Sequence, residues 1–247
     1  MRKCAFFCSV LAIVAVAVCS ACNSSPGRPS SDSAAVPPDQ VLDFPALYSQ
    51  NCAACHGANG KGGAAIALGD PIFLAIADDG AIRETITNGV SGTPMPAFAE
   101  STGGMLTNQQ IDSIVRGIRS WSKPDTLSNV TLPPYIAKVN GDPRAGAAVY
   151  ATYCSSCHGL DGHGGSKASS IVDGSYLALI SDQDLRTNVI VGRPEFGAPD
   201  WRGDVPGHAM SAQEISDAVA WLAAQRPRVA GQLNADVSVD MTARGLR

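Results

Sequence analysis

The chain has 247 residues, a formal net charge of −4, and 45% hydrophobic against 16% charged residues. That acidic balance argues against nucleic-acid binding and suits, weakly, a partner with a basic docking patch. Past the N-terminus no stretch approaches 18 consecutive apolar residues, so the body of the chain is not expected to contain a membrane-spanning helix.

Arg2 and Lys3 form a charged n-region, and residues 5–18 form an apolar segment interrupted only by Ser9. Cys19-Ser20-Ala21-Cys22 resembles a bacterial lipoprotein cleavage box, although Cys19 stands where leucine is usual. The expectation is a signal peptide over 1–21 and lipidation of the Cys22 thiol; ordinary secretory cleavage nearby and an uncleaved anchor are the alternatives. Cleavage would remove Arg2 and Lys3, taking the charge from −4 to −6 (−4 − 2). It would also remove Cys4, Cys8 and Cys19. The lipid would hold an exported protein on the periplasmic or outer face of a membrane without spanning it. Residues 22–40, rich in Ser and Pro, read as a tether from that lipid.

A first domain is expected over 41–123. A short helix, Phe44 to Asn51, leads into Cys52-Ala53-Ala54-Cys55-His56, followed by Gly57-x-x-Gly60-x-Gly62-Gly63. A second helix ends at Gly89, and Thr107 with Gln110 forms a capping box that opens a last helix. In that helix Ile111, Ile114, Val115 and Ile118 recur at helical spacing. Pro124, Pro133, Pro134 and Asn140-Gly141 make 124–141 a linker.

The pattern then repeats over 142–229. A helix over Pro143 to Tyr153 leads into Cys154-Ser155-Ser156-Cys157-His158, 102 positions after the first copy. Gly159-x-x-Gly162-x-Gly164-Gly165 follows, then a helix ending at Gly192. Ser211 and Glu214 cap a last helix carrying Ile215, Ala218, Val219 and Leu222. Residues 230–247 read as a flexible tail. Each repeat is small and poor in large apolar side chains, a thin core by itself.

C-x-x-C-H is the attachment signature of c-type haem. Each thiol can add across one haem vinyl group, and the adjacent histidine is left as proximal iron ligand. A redox dithiol or half a zinc site would fit a lone C-x-x-C; two copies, each followed at once by His, favour two covalently bound haem c groups. Cys52, Cys55, His56, Cys154, Cys157 and His158 are the attachment and proximal residues on this reading. It leaves no cysteine pair for a disulfide.

With these motifs in order, the sequence resembles class I c-type cytochromes, once per repeat, over 170 of its 247 residues. The resemblance implies an all-α fold: two tandem small helical cytochrome c domains, each wrapped around one haem. It also implies that the first and last helices of each domain cross with a small residue against an aromatic one. Gly146 would face Trp221 in the second domain, and Phe44 would face Gly117 in the first, with the pair inverted. Finally it implies a distal methionine beside proline, which Met95 in Gly92-Thr93-Pro94-Met95-Pro96 supplies for the first haem.

In the second repeat the aligned residue is Ala198, in Gly197-Ala198-Pro199-Asp200-Trp201, which cannot bind iron. Met210, aligned with Leu106, is the leading substitute; His208 and an open site are the alternatives. Arg202 either braces a haem propionate or belongs to a surface turn. The resemblance implies single-electron transfer between redox protein partners, with donor and acceptor unnamed. The alternatives are a fixed subunit of a terminal oxidase and a peroxidase-like enzyme using an open second haem.

Overall fold

The structure is a computed structural model that describes residues 36–123, 127, 130–203 and 208–227. The expected signal peptide, Cys22 and the tail from 230 lie outside the described residues. The chain divides into two compact units, 1–40 and 41–247. Within the first, Pro38–Gln40 forms one 3₁₀ turn.

The second unit is helical, and among its described residues only isolated β-bridges occur. Its first half contains α1 (Phe44–Asn51), α2 (Ala53–His56), α3 (Pro71–Ile76), α4 (Asp79–Asn88) and α5 (Asn108–Arg119). The second half contains α6 (Pro143–Tyr153), α7 (Ser155–His158), α8 (Gly174–Ala178), α9 (Asp182–Val191) and α10 (Ala212–Ala224). This is the fold of tandem small cytochrome c domains. The helix starts follow from side-chain caps. Asp43, Asp70, Asp78 and Thr107 cap the first four long starts, and Asp142, Asp173, Ser181 and Ser211 cap their counterparts. Helices α4 and α9 stop at Gly89 and Gly192, both at φ 67°, where the left-handed backbone favours glycine.

In each half the first and last helices cross. A Cβ placed on Gly117 would lie 2.1 Å from the Phe44 ring; one on Gly146 would lie 2.0 Å from the Asp217 carbonyl and 2.7 Å from Trp221 Cβ. The inverted small–large pair is therefore present as the alignment implied. A tryptophan packs at or just after each crossing, by a different route. Trp121, one turn beyond Gly117, packs edge-on to Tyr48 with centroids 5.0 Å apart. Trp221, at the crossing itself, stacks on Tyr150 at 4.2 Å. Both rings also come to the second glycine of the Gly-rich loop, Gly60 or Gly162.

An arginine at the end of each last helix fastens the turn between the two middle helices. Arg119 donates to the Leu74 and Ala77 carbonyls and to Asp79. Arg226 does the same to the Leu177 and Ile180 carbonyls and to Asp182. The linker is also tied down: buried Arg186 donates to the carbonyls of Pro134 and Tyr135 and to Ser216. The two halves are not beads on a string. Helices α3 and α9 touch, and one cluster of buried side chains runs from Ile111, Ile114 and Ile118 to Ile190, Trp201 and Ile215.

Candidate haem sites

Each C-x-x-C-H forms the single helical turn that follows a longer helix, α2 after α1 and α7 after α6. The first cysteine of each motif ends the preceding helix, so the motif starts at a fixed angle to it. Gly57 and Gly159, both at φ 81°, turn the chain back immediately after the histidine. No other residue would fit at the first: a Cβ on Gly57 would lie 1.8 Å from the Lys61 carbonyl oxygen. The two carbonyls receive the same partner, from the Tyr48 hydroxyl at 2.9 Å in one half and from the Tyr150 hydroxyl in the other.

The histidines are held alike. His56 Nδ1 lies 2.8 Å from the Ile66 carbonyl, and His158 Nδ1 lies 2.7 Å from the Ser169 carbonyl. A carbonyl accepts only, so Nδ1 carries the proton and Nε2 keeps its lone pair. That second-shell bond fixes both tautomer and ring orientation, as ligating histidines require. Burial pushes the His56 pKa down, against the opposing hydrogen bond to Ile66, and so favours the neutral ring.

The four motif cysteines, those among the described residues, are free thiols. Burial, with the neighbouring motif cysteine second, pushes the Cys52 and Cys154 thiols up to about 11. A redox dithiol needs a thiol lowered into the neutral range, and these are raised, which goes against that reading. Haem c fits the residues present: two unpaired thiols and an imidazole with only its outer nitrogen available, twice over.

On the distal side the two halves share a backbone plan. The Val90 N–H donates to the Met95 carbonyl at 3.0 Å, and the Arg193 N–H donates to the Ala198 carbonyl at 3.0 Å. Phe98 and Trp201 then close back on the Ile86 and Ile190 carbonyls. Leu106 N–H donates to Phe98, and Met210 N–H donates to Trp201 at 2.9 Å. Ala198 thus takes the place of Met95, and Met210 that of Leu106. Met95 is half-buried and Met210 is buried. His208 lies on the surface, with Nε2 3.3 Å from Glu214 and its ring 6.0 Å from that of Tyr153. Arg202 pairs with its neighbour Asp200 and covers the Trp201 ring.

Some contacts had no sequence signal that spacing could reveal. The Arg119 and Arg226 clamps are 107 residues apart while their carbonyl partners are 103 apart, so the repeat does not align them. Asp184, which completes a capping box with Ser181, did follow a legible pattern.

The chain matches the family model described as cytochrome c oxidase, cbb3-type, subunit III, over residues 39–116 and 141–222. It is 32% identical over 138 residues to the cbb3-type cytochrome c oxidase subunit CcoP of Azospirillum sp. (strain B510), covering 51% of this chain and 41% of that protein. It is 29% identical over 142 residues to the corresponding subunit FixP of Sinorhizobium medicae (strain WSM419), covering 53% and 44%. It therefore spans about two fifths of the length of these relatives. Among solved structures the likeness is distant: a chain of the Kuenenia stuttgartiensis reducing HAO-like protein complex gives a TM-score of 0.46 at 20% identity, over 74% of this chain and 96% of that one. The chain belongs to the cbb3-type cytochrome c oxidase subunit III family and is a dihaem c-type cytochrome of two tandem domains.

Proposed function

We propose that this protein passes single electrons between redox protein partners, as a subunit of, or a carrier to, a terminal oxidase. The twin histidine geometry carries this reading: each imidazole is locked through Nδ1 to a backbone carbonyl and presents Nε2 beside a pair of thiols. Cys52 and Cys55 would hold the first haem and Cys154 and Cys157 the second, with His56 and His158 as proximal ligands. When bound, haem c supplies the one-electron chemistry. The protein's part is to fix the ring of each histidine and to supply the distal donor.

Met95 is the distal donor proposed for the first site. For the second, Met210 is proposed: its backbone N–H donates to the Trp201 carbonyl, which places this buried residue beside the loop that carries Ala198. A soft thioether favours reduced iron, so both sites would sit at the high-potential end. His208, already paired with Glu214 on the surface, is the weaker candidate. The alanine at 198 also supports a second reading, in which an open second site binds small molecules and performs peroxidase-like chemistry.

The domain limits (41–123 and 142–229), the signal peptide, the lipid on Cys22 and a periplasmic or outer-face location belong to the same proposal. Among the described residues no helix is long and apolar enough to cross a membrane. Affinity purification of the haem-loaded protein from membranes tests the subunit reading: oxidase subunits in stoichiometric yield support it, and recovery of the protein alone supports a free carrier. Peroxide turnover by the wild type, together with a high-spin signal from the second haem, would favour the enzyme instead.

A further inference from the structure

A side chain of the second half reaches across to the first haem loop. Arg193 opens the loop that carries Ala198, and its backbone exchanges two hydrogen bonds with Ala198, at 3.0 and 3.1 Å. Its guanidinium crosses to the other half. Nη2 donates to the Gly63 carbonyl at 2.5 Å, and Nη1 lies 3.5 Å from the Ala64 carbonyl. Nε donates to Glu195 at 2.8 Å, and the cation stands 4.9 Å over the Phe196 ring. The group is largely shielded, with 17% of the Arg193 side chain and 21% of Glu195 exposed.

The carbonyls it holds are the ones next to the first haem motif. A Cβ on Gly63 would lie 2.1 Å from the Cys55 carbonyl oxygen, so this backbone rests directly on the motif. The Ala65 N–H donates to the same Cys55 carbonyl at 2.9 Å, and the Ile66 carbonyl orients His56. Arg193 therefore grips the two carbonyls that immediately precede the points anchoring Cys55 and His56. Its counterpart in the first half is Val90, which has no polar side-chain atom. Nothing within the repeat plan calls for arginine at this position; the contact across the halves does.

We infer that Arg193 is a positioning residue that, with the packing between the halves, holds the two haem sites at one separation, so that electron exchange between them would run over a single distance. This rests on the dihaem electron-transfer reading above. With both haems bound, one iron would be oxidised from ferrous to ferric as the other is reduced from ferric to ferrous, with no proton or other reactant needed. A planar fork can span two carbonyls while pairing with Glu195; an ammonium acts as a point charge and cannot reproduce that geometry.

The test uses the haem-loaded full chain. A radiolytic pulse of a one-electron organic radical delivers less than one electron per protein, and absorbance follows its equilibration between the haems. The wild type is expected to equilibrate in one exponential phase. Arg193→Ala is expected to lose that phase to a spread of slower ones, with both haem spectra intact, and Arg193→Lys to recover it only in part. A wild-type single phase in Arg193→Ala overturns the inference, even if its melting temperature falls, because Arg193 would then only be glue. If Arg193→Ala does not load haem, Arg193→Gln is read by the same criterion. A wild-type chain with one haem rather than two would instead fail the dihaem reading, and the haem count shows this before any kinetics.

Discussion

In the first half Phe44 reaches from the opening helix onto Gly117 of the last; in the second, Gly146 of the opening helix lies under the Asp217 carbonyl and the Trp221 Cβ of the last. The crossing keeps its volume while the large partner changes sides. The proximal sites behave differently: Tyr48 and Tyr150, His56 and His158, Gly57 and Gly159 keep both identity and contact in the two halves. The distal sites diverge again, Met95 against Ala198 and Leu106 against Met210. The difference teaches where the fold is free. A packed crossing needs a total volume, which two arrangements satisfy. A histidine ligand needs one nitrogen tied to a carbonyl and one left available, and a single arrangement satisfies that.

The largest effect should come from removing one attachment thiol. Cys157→Ala is expected to reduce covalent haem from two per chain toward one, measured by haem-to-protein ratio, and to destabilise the second half far more than the first. Equal loss of both haems would break the comparison of two separately loaded halves.

Next is the crossing itself. Phe44→Gly should empty the space over Gly117 and cost about 2–4 kcal/mol, since Phe44 is only partly buried. The loss should appear in the first haem's thermal melt, with the second haem's melt shifting less. An unchanged first melt would show that the Phe44–Gly117 contact does not support that half.

The smallest effects concern the caps. Thr107→Ala and Ser211→Ala each remove one side of a capping box and should cost about 1 kcal/mol apiece, seen as matching shifts in denaturant midpoint. A large difference between the two would mean that the last helices are not equivalent.

What was legible in the sequence was local or repeated in register. Both C-x-x-C-H turns, the helices from Phe44 and Pro143, the Thr107 and Ser211 boxes and the glycine stops at 89 and 192 each depend on residues a few positions apart. The caps Asp78 and Ser181 set the starts of α4 and α9 at Asp79 and Asp182, several residues before the Glu84 and Leu185 stretches that the repeat marked. The short helices α3 and α8 carry too few residues to show a period. The Trp121 contact was hidden because its ring arrives one turn later than that of Trp221. Arg186, Arg119, Arg226 and Arg193 were hidden for a common reason: each spends its charge on backbone carbonyls, and a carbonyl leaves no mark in the sequence. Their partners lie between 42 and 130 residues away.

The central claim is that the two sites match on the proximal side and differ in how a distal methionine is supplied. Near-infrared magnetic circular dichroism of the oxidised, haem-loaded protein counts methionine–iron bonds directly. The account predicts two such signals in the wild type and one in Met210→Ala, the survivor belonging to Met95. Two signals in Met210→Ala, or a single signal already in the wild type, would contradict it.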